Sequence, residues 1–362
     1  HRPDGRGSVL GPDPAGWRFV HGMLVESLVR RTKEAGRYES LAHACAKAIE
    51  ECDPGRQRET AERRAEFLGE AGEGELAAEA LLMAIDHQCR IGNLAKCREL
   101  LDRRSELLRE LGVDDEQRSW QEGALVDARI SLDRGEHREA SERLGRITRL
   151  AEQNDWPSIL AEALVRRAFA EQRRGRQTGA LDLLERAEKL YRQLGDERGV
   201  ANVLRRRGVV FDWSGQYTRA LEAYAEAEEI FRRIDDVHEA LQAERAAVYP
   251  LIYSGRLEEG KRQAERLLER AREIGNRWSE RECLNQLGEI ARYQERWHDA
   301  RTHYEDYLEL NEKLGLYDEA IARLNLAMVD VATEDFERAL GRFDELLAEA
   351  EAQPSSHILP TL

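Results

Sequence analysis

The chain has 362 residues, of which 41% are hydrophobic and 35% charged, and a formal net charge of −15 at pH 7. The acidic balance argues against a nucleic acid or an anionic membrane as the main partner, and no apolar run approaches the roughly 18 residues of a membrane span. The five cysteines include no CxxC pair, which argues against a disulfide framework or a zinc site and indicates a cytoplasmic protein. An Ala-, Leu-, Glu- and Arg-rich sequence with only eight prolines favours helices over strands.

The amino-terminal part of the chain is less regular than the rest. Residues 1–16 are rich in Pro and Gly and are predicted to form a linker or wing loop. Residues 17–110 are predicted to be an irregular helical region that links from an upstream module. Its turn glycines, Gly72 and Gly92, are only twenty residues apart.

A forty-residue period follows and defines six repeats over residues 111–350. Each repeat has a turn position between two amphipathic runs. The turn positions are Gly135, Gly175, Gly215, Gly255, Glu295 and, one residue early, Glu334. Five residues after each turn position stands Ala or Gly, which lets paired helices approach closely. Because one amphipathic pair cannot bury its apolar face alone, neighbouring pairs must stack. The sequence therefore predicts an all-α fold, a right-handed superhelix of antiparallel helix pairs with about 14 to 18 helices.

The loops between repeats follow the same period. Glycine at a turn position permits a positive φ. A second glycine suits the left-handed position after a helix, and it occurs at Gly195, Gly275 and Gly315. The polar residues that follow the loops are predicted to cap the next helix; they are Asp196, Asp236 and Asn276.

One copy of the repeat, from Ala201 to about Ala240, carries a recognisable pattern: Gly208, Phe211, Gly215, Tyr217, Ala220, Tyr224 and Ala227. On these residues the chain resembles the tetratricopeptide repeat (TPR) family over roughly residues 110–350. The period of forty departs from the usual thirty-four or so and implies longer helices or loops before the next helix A. The resemblance implies a non-catalytic recognition domain in which the first helix of each pair, helix A, lines a concave groove.

The amino-terminal segments Trp17–Leu28 and Leu41–Glu50 resemble the end of the winged-helix region of STAND-type signalling ATPases. In those proteins helical-repeat sensor arms follow. The resemblance implies a sensor or scaffold arm of a large bacterial signalling protein, with a Ser/Thr kinase or ATPase elsewhere in the parent. An intramolecular contact to such an upstream module is then expected. Residues 351–362 are predicted to begin a truncated further repeat.

No catalytic, metal or cofactor site is predicted. The segment Gly255–Arg262 matches a phosphate-binding loop except at its last position, where Arg262 replaces the hydroxyl residue that contacts Mg²⁺. Its glycines already occupy repeat positions. His298 and His303 are five residues apart and so do not share a helical face. We therefore expect a binding protein and not an enzyme.

The residues predicted to line the groove are identified by how many positions they precede each turn position. Two residues before the turn stand Arg173, Trp213, Tyr253 and Tyr293. Six before it stand Arg129, Phe169, Val209, Tyr249 and Glu289, and nine or ten before it stand Arg166, Arg205, Arg245 and Asn285. Arginine and aromatic side chains suit an extended peptide or an anionic ligand. The same aromatic residues could equally pack between successive A helices.

The expected ligand is a protein or peptide, with a small effector as a possible alternative. A small-molecule receptor arm would have a closed pocket with inward polar groups. A self-assembly module would instead associate through its convex or terminal surfaces. Pro250, inside a helix A, is predicted to kink that helix, which would either reshape the groove or be a tolerated irregularity near the helix end.

Overall fold

The computed structural model describes residues 10–13, 16–19, 22–52, 57–90, 93–133, 135–314 and 319–352. These ranges contain two four-residue β-strands and 18 α-helices, which confirms the predicted helical fold. The chain divides into two compact units, His1–Asp127 and Ala128–Leu362. The predicted turn residues Gly92 and Gly315 lie outside the described residues, as does the predicted further repeat beyond residue 352.

The first unit contains a small hairpin that begins in the predicted linker or wing loop (residues 1–16) and ends in the segment predicted to be helical, where residues 17–19 are in a strand. Strands β1 (Leu10–Asp13) and β2 (Gly16–Phe19) pair antiparallel. The helices of this unit are α1 (Gly22–Glu34), α2 (Tyr38–Cys52), α3 (Gln57–Glu70), α4 (Gly74–Arg90), α5 (Leu94–Glu110) and the first part of α6 (Arg118–Asp133). Helices α2 to α5 pack consecutively, and their core includes Leu81, Ile85 and Leu100, which are fully buried.

The second unit contains the regular helix pairs. Its A helices are the end of α6, α8 (Pro157–Arg173), α10 (Glu197–Trp213), α12 (Val237–Ala246) with α13 (Val248–Tyr253), α15 (Arg277–Tyr293) and α17 (Ala320–Ala332). Its B helices are α7 (His137–Gln153), α9 (Gln177–Leu194), α11 (Tyr217–Arg233), α14 (Leu257–Glu273), α16 (Trp297–Leu314) and α18 (Phe336–Ala352). Most helices have 17 residues and most loops have three. The forty-residue period therefore comes from long helices and not from long loops.

Local sequence accounts for the loops as predicted. The turn glycines have positive φ, for example +70° at Gly215, and so does Gly195 after α9, at +68°. Glu295 and Glu334 adopt the same left-handed conformation without being glycine. The predicted caps are present, because side-chain oxygens of Asp196, Asp236 and Asn276 accept hydrogen bonds from backbone N–H groups three residues later, at 2.8, 3.3 and 3.0 Å.

Close approach within a pair depends on glycine in helix A. A Cβ atom at Gly208 would lie 2.6 Å from the ring of Tyr224, and one at Gly288 would lie 2.5 Å from the ring of Tyr304. Both tyrosines are buried, and Tyr304 is among the largest fully buried side chains. The glycine in helix A thus makes the space that a tyrosine of helix B fills.

Pro250 interrupts its helix A as predicted. Helix α12 ends at Ala246 and α13 begins at Val248, because proline has no N–H to donate to the carbonyl four residues earlier. Amide side chains from neighbouring helices bond to carbonyl groups at the break. Gln263 donates to the Glu244 carbonyl at 2.7 Å, and Gln286 donates to the Arg245 carbonyl at 3.0 Å. The interruption is therefore a stabilised part of the packing.

Candidate functional site

The candidate site is the surface that the A helices of the second unit present, and the thirteen residues of the predicted groove are here named the A-helix face. All thirteen lie on α6, α8, α10, α12–α13 and α15. Successive A helices contact one another, as α8 contacts α10 and α15 contacts α12, α13 and α17. Residues forty apart in sequence are therefore brought near each other, which is what the repeat predicts.

The last residues of four A helices form what we call the ladder: Arg173, Trp213, Tyr253 and Tyr293. The Arg173 guanidinium lies 5.1 Å from the Trp213 ring centroid, and the rings of Tyr253 and Tyr293 meet edge to face at 6.2 Å. Despite these contacts, Trp213 is 60% exposed, Tyr253 44% and Tyr293 47%. Arg173 thus contacts Trp213, and Tyr253 contacts Tyr293, while all three aromatic rings still present area to solvent.

Three arginines of the A-helix face are paired with acidic neighbours. Arg205 lies 3.7 Å from Glu239, and Arg245 lies 3.4 Å from Glu282. Arg166 pairs with Glu162 one turn earlier in α8. The first two pairs join one A helix to the next. Because carboxylates already neutralise them, these arginines offer less to an anionic ligand than their number in the sequence suggested.

Several other predicted residues are used in packing. Asn285 donates a hydrogen bond to the Tyr249 hydroxyl at 3.0 Å, and Tyr249 stacks on Tyr253 with centroids 6.1 Å apart. Glu289 is buried, accepts a hydrogen bond from the Tyr304 hydroxyl at 3.2 Å and lies 2.8 Å from Arg292.

The remaining predicted residues, Phe169, Val209 and Arg129, have other surroundings. Phe169 lies between the His137 ring, at 6.1 Å, and the Arg206 guanidinium, at 5.2 Å. Val209 packs against the core around Phe211, and Arg129 is half-buried on α6. The ladder is therefore the most exposed part of the predicted site.

The sequence reasoning missed Asp212, which stands three residues before the turn. One of its carboxylate oxygens, Oδ1, is buried and has no hydrogen-bond partner among the described residues. Burial raises the pKa of Asp212 to about 6. The carboxylate is close enough to contribute to the raised pKa of Tyr253 on α13 and of Tyr224 on α11. Spacing could have found it, because residues 3, 6, 10 and 13 before a turn form one helical stripe.

A second buried carboxylate, on α17, is neutralised by ion pairs with arginine. Asp330 on α17 is fully buried and lies 2.6 Å from Arg301 and 2.8 Å from Arg342. It joins helices α16, α17 and α18. Asp330 thus has two arginine partners, whereas no such partner is present for Asp212 in the described part of the chain.

Other candidate sites carry no recognisable chemistry. Gly255 is a turn glycine and Gly260 is buried inside α14, with helix α13 and not a strand before them, so Gly255–Arg262 is not a phosphate-binding loop. A cleft of about 430 Å³ between α14, α15 and α16 contains Arg272 and Arg277, but both pair with Glu280, at 2.9 and 2.6 Å. Over the described ranges, no cluster of three or more His, Cys, Asp or Glu residues could hold a metal ion.

Comparison with known proteins gives a consistent fold. The sequence model of the tetratricopeptide repeat family matches residues 159–233. A Rap protein complexed with competence and sporulation factor has a TM-score of 0.60 at 15% identity, covering 76% of each chain. NprR in complex with its cognate peptide NprX has a TM-score of 0.57 at 16% identity, covering 76% of this chain and 80% of that one.

A third solved structure is similar over nearly the whole chain. It is a STAND protein with a tetratricopeptide repeat sensor from Pyrococcus horikoshii, with a TM-score of 0.57 at 13% identity. The match covers 98% of this chain and 58% of that one. Curated protein sequences give no match. Within the described helices, none has the length and apolar character needed to cross a membrane. Residues 159–233 therefore match tetratricopeptide repeats, and the helix pairs have the α-solenoid fold found in these three structures.

Proposed function

We propose that the second unit recognises an extended peptide segment of a partner on its A-helix face and has no catalytic role. The observation that carries the proposal is the ladder, in which three aromatic side chains keep about half of their area exposed while contacting their neighbours. Partly exposed, mutually supported aromatic residues lose little side-chain entropy when a ligand covers them. They are therefore suited to anchor a peptide.

The relatives support the same class of ligand. The NprR structure contains its cognate peptide NprX, and the Rap structure contains competence and sporulation factor. The STAND structure places a repeat array of this fold in the role of a sensor. We infer that this chain is a cytoplasmic sensor or scaffold arm of a larger bacterial signalling protein with an ATPase or Ser/Thr kinase module. A ligand would regulate that protein by binding two arrangements of the arm with different affinity.

The proposal is tested by panning a random-peptide display library on the 362-residue chain. The counter-selecting variant is Trp213→Ala/Tyr253→Ala/Tyr293→Ala. A matched control, Leu194→Ala/Ile274→Ala, removes half-exposed apolar side chains from the ends of B helices. Peptides that bind the wild type and the control but lose at least about tenfold in affinity on the triple variant are the expected result. Failure to enrich peptides, or equal binding to a triple variant with normal circular dichroism, would refute the proposal.

A second candidate function, self-association, is favoured by one observation. The last helix pair exposes apolar side chains along one face of each helix: Ile321, Met328 and Val331 on α17, and Phe336, Leu340 and Leu347 on α18. Exposed apolar patches of this kind mark interaction surfaces. If they join two copies, light scattering should show a mass that rises with concentration in the wild type and not in Leu340→Glu. A concentration-independent monomer would exclude this function.

A further inference from the structure

The charge on the A-helix face is distributed unevenly. Arg205 and Arg245 are matched by carboxylates of the next helix A, and Glu289 is matched by Arg292. Asp212 has no such ion pair in the described part of the chain, and its Oδ1 is buried without a hydrogen-bond partner there. Desolvating a carboxylate without a partner is unfavourable. A ligand that brings a positive charge to this point would remove that cost.

The repeat register shows that the carboxylate is a local departure. The other repeats place an apolar, neutral or paired side chain three residues before the turn: Leu132, Gln172, Ile252, Arg292 and Val331. Leu132, Gln172 and Ile252 are buried, and Arg292 pairs with Glu289. Packing in this position is therefore satisfied without an acidic residue. The repeat fold therefore does not require an acidic residue at the position of Asp212.

Aromatic rings lie beside this carboxylate. Trp213 follows Asp212 in the chain, and the negative charge of Asp212 contributes, after burial, to the raised pKa of Tyr253 on the next helix A. Tyr253 also approaches the Tyr217 ring, with centroids 6.2 Å apart. Aromatic faces attract ammonium and guanidinium groups, as the Arg173 guanidinium beside Trp213 already shows. Asp212, Trp213 and Tyr253 together are here named the acidic–aromatic cluster.

We propose that the acidic–aromatic cluster selects a cationic side chain, lysine or arginine, of the bound peptide. This inference rests on the proposed function, since the ladder has to hold the peptide on either side of that residue. Tyr293 and Arg173 extend the ladder by one helix A in each direction, which fits an extended segment with neighbours on both sides of the cation. An acidic or phosphorylated peptide is disfavoured, because Arg205 and Arg245 are already paired with carboxylates and the chain carries a net charge of −15.

The experiment compares peptide pools on the full chain. Each pool is a labelled, N-acetylated and C-amidated seven-residue library with one fixed central residue: arginine, lysine, norleucine or glutamate. Binding is measured by fluorescence anisotropy at pH 7.5. We expect the arginine and lysine pools to bind about tenfold or more tightly than the norleucine and glutamate pools. In Asp212→Asn that preference should fall by about tenfold, whereas Glu222→Gln, an exposed charge change on α11 of the same repeat, should retain it.

A pH series gives a readout that loss of packing would not. The tyrosines that face Asp212, Tyr224 and Tyr253, stay neutral between pH 5 and 7.5, because burial raises the pKa of both. The charged side chains on the adjacent aromatic rings are both arginines, Arg173 over Trp213 and Arg219 over Phe211. With a pKa of about 6, about nine tenths of Asp212 is protonated at pH 5, so the cation preference should fall about tenfold from pH 7.5 to pH 5. Asp212→Asn should show no such fall.

The outcomes separate the two proposals. Equal binding of all four pools, lost in Trp213→Ala/Tyr253→Ala/Tyr293→Ala, would overturn the cation inference and leave peptide recognition in place. A preference for the glutamate pool, or a cation preference unchanged in Asp212→Asn, would also overturn it. If no pool binds in a way that depends on the ladder, peptide recognition itself fails.

Discussion

Replacing Asp212 with asparagine should stabilise the protein at neutral pH. Burial raises the pKa of this carboxyl group from its ordinary value of 3.8 to about 6, so the folded protein holds the ionised form less well than the unfolded chain does. A pKa change of this size corresponds to about 3 kcal/mol at pH values above both pKa values. Asp212 is partly accessible to solvent, which makes that figure an upper limit. We expect Asp212→Asn to gain about 1 to 3 kcal/mol in the free energy of unfolding at pH 7.5.

The gain should depend on pH in a defined direction. Because the folded-state pKa is the higher one, the wild type recovers the lost stability as the pH falls from about 6 towards 3.8. The amide of asparagine does not titrate. Urea denaturation followed by circular dichroism at pH 7.5, 6 and 4.5 should therefore show the largest difference between the two proteins at pH 7.5. At pH 4.5, which still lies above the unfolded-state pKa of 3.8, about one third of the difference at pH 7.5 should remain.

A charge control separates this effect from a general reduction in negative charge. Glu222→Gln removes one carboxylate from the exposed surface of α11, and its midpoint should stay within about 0.5 kcal/mol of the wild type at every pH. An Asp212→Asn protein that is less stable than the wild type at pH 7.5 would refute the reasoning. So would a difference that does not change with pH.

Four further substitutions test the helix packing, a turn and a helix cap of the repeats by thermal denaturation. Gly208→Ala should cost about 1 to 3 kcal/mol, because the new Cβ would lie 2.6 Å from the Tyr224 ring. In Gly260→Ala the new Cβ would lie 3.4 Å from its nearest neighbour, so the free energy of unfolding should stay the same or rise by up to about 1 kcal/mol. Equal effects of Gly208→Ala and Gly260→Ala would contradict the packing described. Glu295→Gly should raise the free energy of unfolding by about 0.5 to 1 kcal/mol, because Glu295 has a φ of +57°, which glycine adopts without strain. A lower free energy of unfolding would show that the contacts of the Glu295 side chain outweigh the backbone strain. Asp196→Ala should cost about 1 kcal/mol through the lost helix cap, and an unchanged midpoint would contradict it.

Features that depend on neighbours in sequence could be predicted from the sequence. The turn glycines, the caps at Asp196, Asp236 and Asn276, and the end of helix A at Trp213 each follow from local backbone or hydrogen-bond requirements. The break at Pro250 belongs to the same class, because proline removes a donor wherever it stands in a helix. The period then places these local features in register along the chain.

Features that depend on contacts between repeats could not be predicted in the same way. The pairs Arg205–Glu239 and Arg245–Glu282 join residues 34 and 37 positions apart, which is neither the period nor a helical spacing. Their partners depend on how one helix A lies against the next. The sequence consequently overstated the number of available cations on the A-helix face. The spacing that includes Asp212 in the same helical stripe did not show that its carboxylate would be without a charged partner among the described residues.

The ion pairs of the charged residues indicate that most of the A-helix face serves packing and that Asp212 serves ligand binding. A carboxylate that the fold needs is compensated, as Asp330 is by Arg301 and Arg342. Asp212 instead lowers the stability of the state that contains it, and natural sequences keep such local conflicts chiefly where binding or catalysis requires them. Its position beside Trp213, which is 60% exposed, connects the stability cost to the surface best suited to hold a peptide. Greater stability in Asp212→Asn together with loss of cation selectivity would therefore be two consequences of one charge.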